Sequence, residues 1–98
     1  MNEDICSAIK NMNVIEFYYN GGNRVVEPHC YGVHKDTGNE VLCGYQTGGY
    51  SESGNLPAWR LYIVPNIAGL RITADTFSSP RPHYNPNDSR MSHIFCNL

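Results

Sequence analysis

The sequence predicts a mainly β domain: a partly open small barrel with one short N-terminal helix and a Pro-rich C-terminal arm. Alternating runs of aromatic and β-branched residues recur along the chain between Gly- and Asn-rich turns, which is typical of antiparallel strands. Charged residues make up only 16% of the 98 residues, well below the globular average, and Asn, Gly, Ser and Tyr fill the difference. This composition favours a loop-rich β protein over a helical bundle.

The N-terminal helix is predicted from an amphipathic pattern over residues 3–12. Ile5, Ala8 and Ile9 fall on one helical face, because residues three and four apart lie above one another on a helix. Asn2 precedes this stretch and is placed to cap its first turn. We expect the apolar stripe to pack against a sheet or to close one end of a barrel.

Six strands are predicted after the helix, the last of them with a short helix as the alternative. Asn20-Gly21 separates the first two strands and favours a tight hairpin. Pro28 and Gly32 lie inside the second strand and predict a bend, since Pro cannot donate to a strand ladder. The predicted strands cover residues 14–19, 24–35, 40–46, 58–64, 67–73 and 92–98. We find no internal repeat, and residues 1–98 are predicted to form one domain.

The charge balance excludes a positive electrostatic field over the whole protein of the kind that attracts nucleic acid. Seven Lys and Arg stand against nine Asp and Glu, so the formal net charge is −2. A local basic patch remains compatible with this balance. Five of the seven cations are Arg, the residue that binds phosphate and carboxylate groups bidentately.

The four cysteines show no C-x-x-C spacing, so neither a redox motif nor a zinc knuckle is indicated. They are predicted to be free, mostly buried thiols of a reduced cytoplasmic protein. No signal peptide or stretch of membrane-spanning length is found, so no membrane partner is expected. No cofactor motif is found either. A zinc set drawn from His93-x-x-Cys96 with His83, or from Cys30 with His29 or His34, is a minor alternative.

Residues 78–90 form the arm, which contains three Pro and no aliphatic residue. Two interpretations remain open. The favoured one is an ordered strap that crosses the protein's own barrel, is held by Tyr84 and is pinned by local hydrogen bonds of Asp88 and Arg90. The other is an extended segment that docks in a groove of a partner. Such an arm and exposed sheet edges also favour a homodimer.

The order of these elements resembles the WYL domain family, a small Sm-like β-barrel. The second strand begins Arg24-Val25-Val26-x-Pro28, which is similar to the family's second strand. Leu42 matches the last position of the namesake tripeptide. The helix and first strand with which the family's domain begins are similar to Ile5-x-x-Ala8-Ile9 and Val14-Ile15-x-Phe17-x-Tyr19. The family's R-x-F-R-L-D-R-I strand is matched at Arg60, Tyr62, Val64 and Ile67.

The resemblance spans roughly residues 5–77 and implies a ligand-sensing module of transcription regulation, for which we expect this chain to be a stand-alone, divergent member of the family. In this family the barrel is usually fused to a winged helix-turn-helix and is thought to sense nucleic acids or nucleotide-like ligands. For this chain the implied partners are a nucleotide or single-stranded nucleic acid, and a regulator that acts in trans.

The candidate binding site centres on Arg60. If Trp59 and Leu61 face the core, Arg60 and Tyr62 face outward, where a guanidinium can bind phosphate beside a ring that stacks a base. The alternative is an Arg60 ion pair with Glu40 or Glu27. Residues beside the Gly-rich loop, which is predicted to be a mobile hairpin tip, extend the site. The full predicted set is Arg60, Tyr62, Tyr45, Arg24, Gln46 and Tyr50.

Nucleophilic catalysis needs a Cys or Ser held against a His. Cys30 follows His29 directly, which on a regular strand places the two side chains on opposite faces. The sequence therefore predicts a non-enzymatic ligand-binding or regulatory module. A protein–protein or structural module and, behind it, a small hydrolase are the alternatives.

Overall fold

The fold is built around β2, the longest strand. The computed structural model describes residues 1–98. A single α-helix precedes six strands, and a 3-10 turn joins the fourth strand to the fifth. The elements are α1 (Glu3–Asn11), β1 (Asn13–Tyr19), β2 (Gly22–His34), β3 (Glu40–Gly49), β4 (Ala58–Ile63), the turn Val64–Asn66, β5 (Ala68–Thr76) and β6 (Met91–Asn97).

The strands form one antiparallel sheet in the order β4-β3-β2-β1-β5, and β6 also pairs with β2. On one edge β2 pairs with β1 as far as Val26 and with β6 from Cys30 onward. The register of β2 against β3 shifts between Pro28 and Cys30. The change of partner and the bulge both lie at the Pro28 site, where the sequence predicts a bend.

The mainly β class is confirmed, with 53% of the residues in strands. The predicted N-terminal helix is confirmed as well, and the side chain of Asn2 accepts a hydrogen bond from the Ile5 amide as its cap. The end strands β4 and β5 do not pair with each other, so the sheet is not closed. The coarser prediction of a β-rich sheet is therefore established, while the Sm-like barrel stays a prediction.

β3 is three residues longer than predicted and ends at Gly49. The Gln46 side chain holds this end, since its Nε2 donates to the carbonyls of Gly48 and Tyr50 at 3.0 and 2.7 Å. Gly49 has φ +82°, and a Cβ there would lie 2.3 Å from the carbonyl oxygen of Asn23. Only glycine fits this close crossing of β2.

The core lies between α1 and one face of the sheet. The helix contributes Ile5, Ala8 and Ile9, the stripe that its sequence predicts. The sheet side of this core consists of Ile15, Phe17, Tyr19, Val26, Tyr31, Leu42 and Tyr62.

No helix in the structure has the length and apolar character needed to cross a membrane.

The cysteines correct the sequence prediction in part. Cys6 and Cys96 form a disulfide that joins α1 to β6 across 90 residues, so they are not free thiols. Spacing patterns report pairs that are close in sequence, and this pair is brought together only by the fold. Cys30 and Cys43 are free and buried, as predicted. Burial raises the pKa of Cys30 to about 12, which keeps it protonated.

Gly32 marks the closest approach of β2 and β6. A Cβ at Gly32 would lie 2.2 Å from the carbonyl oxygen of His93, whereas one at Gly48 would meet Val25 at an ordinary 3.5 Å. We expect Gly32→Ala to lower the free energy of unfolding by about 1–3 kcal/mol through overpacking. Gly48→Ala is the matched control in urea denaturation. Equal stability of the two variants would contradict the close β2–β6 approach.

Candidate functional site

A surface pocket of about 360 Å³ opens beside the β1–β2 turn, the loop 50–57 and β4. Its wall combines two guanidinium groups with hydroxyl and amide groups. Two buried tyrosines contribute to the lining as well. The lining residues are Tyr19, Asn20, Arg24, Ser51, Glu52, Ser53, Arg60, Leu61 and Tyr62.

Arg24 lines this pocket from β2, although only 5% of the residue is exposed. Its Nε and Nη2 donate to the Tyr19 carbonyl at 3.1 and 2.7 Å, and Nη2 also donates to the Asn20 carbonyl at 3.2 Å. The guanidinium carbon lies 5.7 Å from the ring centre of Tyr19 and 5.1 Å from that of Tyr50. These contacts fix the guanidinium and use both Nε and Nη2.

The Nη1 group of Arg24 makes no hydrogen bond within the protein. No side-chain nitrogen or oxygen of the protein is both fully buried and without a partner, so Nη1 must retain contact with solvent. Because Arg24 lines the pocket, this contact leaves two N–H donors for a ligand.

Arg60 reaches the pocket from β4 and holds the loop 50–57. Its Nη2 donates to the hydroxyls of Ser51 and Ser53 at 3.2 and 3.0 Å. The Nη1 group donates to the Trp59 carbonyl at 3.1 Å, and Nη2 makes a longer contact to the Asn55 carbonyl at 3.4 Å. The predicted alternative, an ion pair with Glu40 or Glu27, is wrong, since all the partners of Arg60 are neutral oxygens.

The two pocket arginines differ from the other three in lacking an acidic partner. Arg71 pairs with Glu16, Arg81 with Glu27 and Arg90 with Asp88. Neither Arg24 nor Arg60 makes a salt bridge, although Glu52 also lines the pocket. The two arginines without a carboxylate partner thus line the same pocket.

Tyr62 lines the pocket, and the buried Gln46 supports its hydroxyl from behind. The Tyr62 hydroxyl donates to Oε1 of Gln46 at 2.9 Å. Burial raises the pKa of Tyr62 to about 12, and the charges of Arg24 and Arg60 act in the opposite direction. Both guanidinium charges therefore act on the same hydroxyl, which remains a neutral hydrogen-bonding group.

The structure brings together most of the predicted site residues. Arg24, Arg60 and Tyr62 line the pocket, Gln46 supports Tyr62, and Tyr50 covers one side of Arg24. Tyr45 does not belong to this group. Its ring packs against Trp59, with the ring centres 5.3 Å apart, and lies 5.1 Å from the Arg81 guanidinium carbon.

The orientation predicted for β4 is wrong. Tyr62 faces the core, with only 2% exposed, and Arg60 lies at the edge of the same face. Trp59 faces the opposite side, where Tyr45 is its cross-strand neighbour. Alternation alone could not identify the inner face, because the core covers one side of β4 and the arm covers the other.

Five polar or aromatic residues of the pocket lie outside the predicted set: Tyr19, Asn20, Ser51, Glu52 and Ser53. Tyr19 belongs to the alternating inner face of β1 and Asn20 to the hairpin turn. Ser51, Glu52 and Ser53 belong to the Gly-rich loop that the sequence predicts to be mobile. None carries a local signal for binding, because their place in the pocket depends on how the fold brings the hairpin and the loop to Arg24 and Arg60.

The arm crosses the opposite face of the sheet, as the favoured interpretation predicts. The Trp59 indole donates to the Pro82 carbonyl at 3.0 Å, and the Tyr84 hydroxyl donates to the carbonyls of His29 and Leu98 at 3.3 and 3.2 Å. Arg90 forms an ion pair with Asp88 within the arm. Tyr84 thus ties the strap to β2 and to the C-terminus.

Beneath the strap, Arg81 donates from Nε and Nη2 to the two carboxylate oxygens of Glu27 at 2.6 and 2.8 Å. The Glu27 side chain is buried, whereas that of Arg81 is partly exposed. This paired geometry gives the acidic group a fixed cationic partner. Glu27 is therefore not available to Arg60.

His29 lies at the centre of this face and is completely buried. Its Nδ1 lies 2.8 Å from the Glu27 carbonyl, and its Nε2 lies 3.1 Å from the Arg81 amide nitrogen. Because a carbonyl only accepts and an amide only donates, Nδ1 carries the proton and Nε2 accepts. The ring is neutral, and neither nitrogen is directed as a base toward Cys30.

Burial lowers the pKa of His29 below its ordinary value of 6.5. The unfolded chain then binds protons more readily than the folded protein, so stability is complete above about pH 6.5 and decreases as the pH falls below it. We expect urea unfolding to show lower stability at pH 5 than at pH 7. His29→Gln should reduce this difference, while exposed His83→Gln should not. An unchanged difference in His29→Gln would contradict the neutral buried ring.

The residues of the minor zinc hypothesis are used differently. Cys96 is bonded to Cys6, and His29 already has a partner at each ring nitrogen. No three His, Cys, Asp or Glu side chains in the structure are grouped so as to hold a metal ion.

Comparisons with known proteins found no matching family model, no matching curated protein and no matching solved structure.

Proposed function

We propose that the protein is a non-enzymatic binding module whose pocket takes a nucleotide or a single-stranded nucleic acid through its phosphate. The observation that carries this proposal is the pairing pattern of the arginines. Three of them have carboxylate partners, and the two that have none, Arg24 and Arg60, line the same pocket.

Burying a cation without an acidic partner is costly unless other groups compensate it. Arg24 is compensated in part by two backbone carbonyls and two aromatic rings. An anionic ligand adds charge-assisted hydrogen bonds, which are roughly twice as strong as bonds between neutral groups. A bound anion therefore supplies the charge compensation that the two guanidinium groups lack within the protein.

The resemblance to the WYL family supports a regulatory role for such binding, with a regulator acting in trans. An open sheet whose end strands are joined by a 3-10 turn is also compatible with the Sm-like barrel of that resemblance. In this proposal the domain responds to ligand and passes the signal to a partner.

A protein–protein module is the second candidate function. β5 pairs with β1 along one edge only, and seven of its nine residues are exposed. An uncovered strand edge of this kind can pair with another chain, including a second copy of this protein. Light scattering after gel filtration distinguishes a monomer from a homodimer.

The test of the binding function is Arg60→Ala in a thermal-shift assay with nucleotides and short single-stranded DNA and RNA. Wild-type protein should gain stability with ligand, because binding to the folded state alone raises the melting temperature. Arg60→Ala should weaken binding at least tenfold and change the melting temperature of the free protein little, since three of its four lost contacts are to oxygens of the loop 50–57. Unchanged binding in this variant would sink the proposal.

Arg71→Ala is the matched control. It removes a guanidinium of equal charge whose partner is the exposed Glu16, so the net charge changes as in Arg60→Ala. Binding should remain at the wild-type level. A loss equal to that of Arg60→Ala would show that overall charge, rather than the pocket, determines binding.

A further inference from the structure

The pocket also indicates which form of phosphate it recognises. Besides Nη1 of Arg24, the Nε group of Arg60 makes no hydrogen bond within the protein, whereas its Nη1 and Nη2 bond to neutral oxygens. Donors without a partner therefore remain on both guanidinium groups. A ligand group that uses both arginines must offer several acceptor oxygens in a compact arrangement.

The charges of the pocket favour a dianion. Arg24 and Arg60 contribute two positive charges, and neither has an acidic partner. Glu52 is the single acidic residue of the lining, and it opposes binding of any anion. A phosphate monoester carries close to two negative charges at pH 7 and three terminal oxygens. An internal phosphodiester of a nucleic acid carries only one negative charge for the same two cations.

The surface around the pocket lacks the positively charged groove that a nucleic-acid strand requires. Binding of single strands combines a positively charged groove with several aromatic platforms. The remaining arginines are all paired with carboxylates, and neither Lys10 nor Lys35 lines the pocket. A volume of about 360 Å³ is near the lower limit for small-molecule sites.

The aromatic rings lead to the same conclusion. Tyr19 and Tyr62 are buried and pack edge-on against each other, with ring centres 5.0 Å apart, so their faces are not free to stack bases. Tyr50 is 46% exposed, and Arg24 covers one side of its ring. The site thus offers at most one open ring face, enough for a single base.

The loop hydroxyls complete the site. Ser51 and Ser53 accept hydrogen bonds from Nη2 of Arg60 and lie 3.2 Å from each other. Phosphate oxygens are stronger acceptors for a guanidinium than these neutral hydroxyls are. The contacts with Arg60 use only the lone pairs of these hydroxyls, and only one of them can donate in the contact between the two, so at least one O–H proton remains to donate to a bound phosphate.

We propose that the pocket recognises the terminal phosphate monoester of a small molecule of mononucleotide size, bound between Arg24 and Arg60, and not the backbone of a nucleic-acid strand. This inference rests on the proposed binding function and narrows it to one ligand class. Phosphate supplies the affinity, and the organic part contributes at most one contact, to the open face of Tyr50.

The experiment is isothermal titration calorimetry of the full chain with four probes at constant ionic strength. These are adenosine 5′-monophosphate, its 5′-phosphate methyl ester, inorganic phosphate, and a short single-stranded oligonucleotide without a terminal phosphate. The monoester should bind at least tenfold more tightly than its methyl ester. Inorganic phosphate should compete with it, and the oligonucleotide should bind more weakly than the monoester.

Two variants separate the pocket from general electrostatics. Glu52→Gln removes the acidic group of the lining and should tighten monoester binding severalfold, whereas Glu16→Gln, which removes an acidic group paired elsewhere, should not. Equal or tighter binding of the methyl ester or of the oligonucleotide would overturn the monoester inference and leave the binding function standing. No binding of any probe would overturn both.

Discussion

Removal of the Cys6–Cys96 disulfide is expected to lower the free energy of unfolding by about 2–5 kcal/mol, the usual range for a native disulfide in a small domain. The bond spans 90 residues, so the unfolded chain gains much conformational freedom when it is absent. Its position adds to the effect. It ties α1 to β6, and β6 otherwise pairs only with the second half of β2.

This prediction is checked by urea denaturation of the wild type with and without reductant, beside a Cys6→Ala/Cys96→Ala double variant. Reductant should destabilise the wild type and leave the double variant unchanged. The free thiols Cys30 and Cys43 serve as internal controls, because both remain in the double variant. Equal stability of oxidised and reduced wild type would contradict the assigned disulfide.

Phe17→Ala is expected to cost about 3–5 kcal/mol, the range for truncation of a buried aromatic ring. Phe17 is almost fully buried. Its ring packs edge-on against Tyr62 and Tyr19, with ring centres 4.9 and 6.3 Å away. Because these two tyrosines form part of the pocket wall, the cavity left by the missing ring lies directly beneath the candidate site.

Thermal and urea unfolding of Phe17→Ala and Phe17→Leu test this packing. Leu fills more of the space, so its loss of stability should be clearly smaller. Domains of this kind are stable by about 5–15 kcal/mol in total, and Phe17→Leu is therefore the better variant for binding measurements. A loss below about 1 kcal/mol in Phe17→Ala would be incompatible with a ring at the centre of the core.

The sequence allowed prediction of the strands because their signals are local. The alternation of Ile15, Phe17 and Tyr19 identifies both β1 and its inner face. Asn20-Gly21 identifies the first hairpin, and Pro28 identifies the place where β2 changes its partner. Each of these features depends on residues within a few positions of one another.

The cysteine pairing and the inner face of β4 could not be predicted in the same way. Cys6 and Cys96 meet only after β6 has returned to β2. The large aromatic ring of Trp59 favours a place in the core, yet it packs beneath the arm, where its indole N–H donates to the Pro82 carbonyl. Both faces of β4 are covered, so apolar or aromatic residues occur on each of them. The sequence therefore does not show which face of β4 packs against the core.

The candidate site could be predicted only in part, again because some of its properties depend on contacts between residues that are distant in sequence. Arg24, Arg60 and Tyr62 carry chemistry that is recognisable from residue type. The decisive property of the two arginines is the lack of an acidic partner, and this depends on which carboxylates the fold assigns to the other three. Tyr45 borders the Gly-rich loop in sequence, which predicts a place in the site, but its position on β3 directs it to the opposite face of the sheet.

The most direct test of the anion site is an NMR titration of ¹⁵N-labelled protein with adenosine 5′-monophosphate, observing the Nε–H resonance of each arginine. If both arginines bind the phosphate, the resonances of Arg24 and Arg60 shift together and saturate at one ligand per chain. Those of Arg71, Arg81 and Arg90, which are held by carboxylates, should remain in place. Saturable shifts confined to the paired arginines, or no shift at any arginine, would rule out an anion site between Arg24 and Arg60.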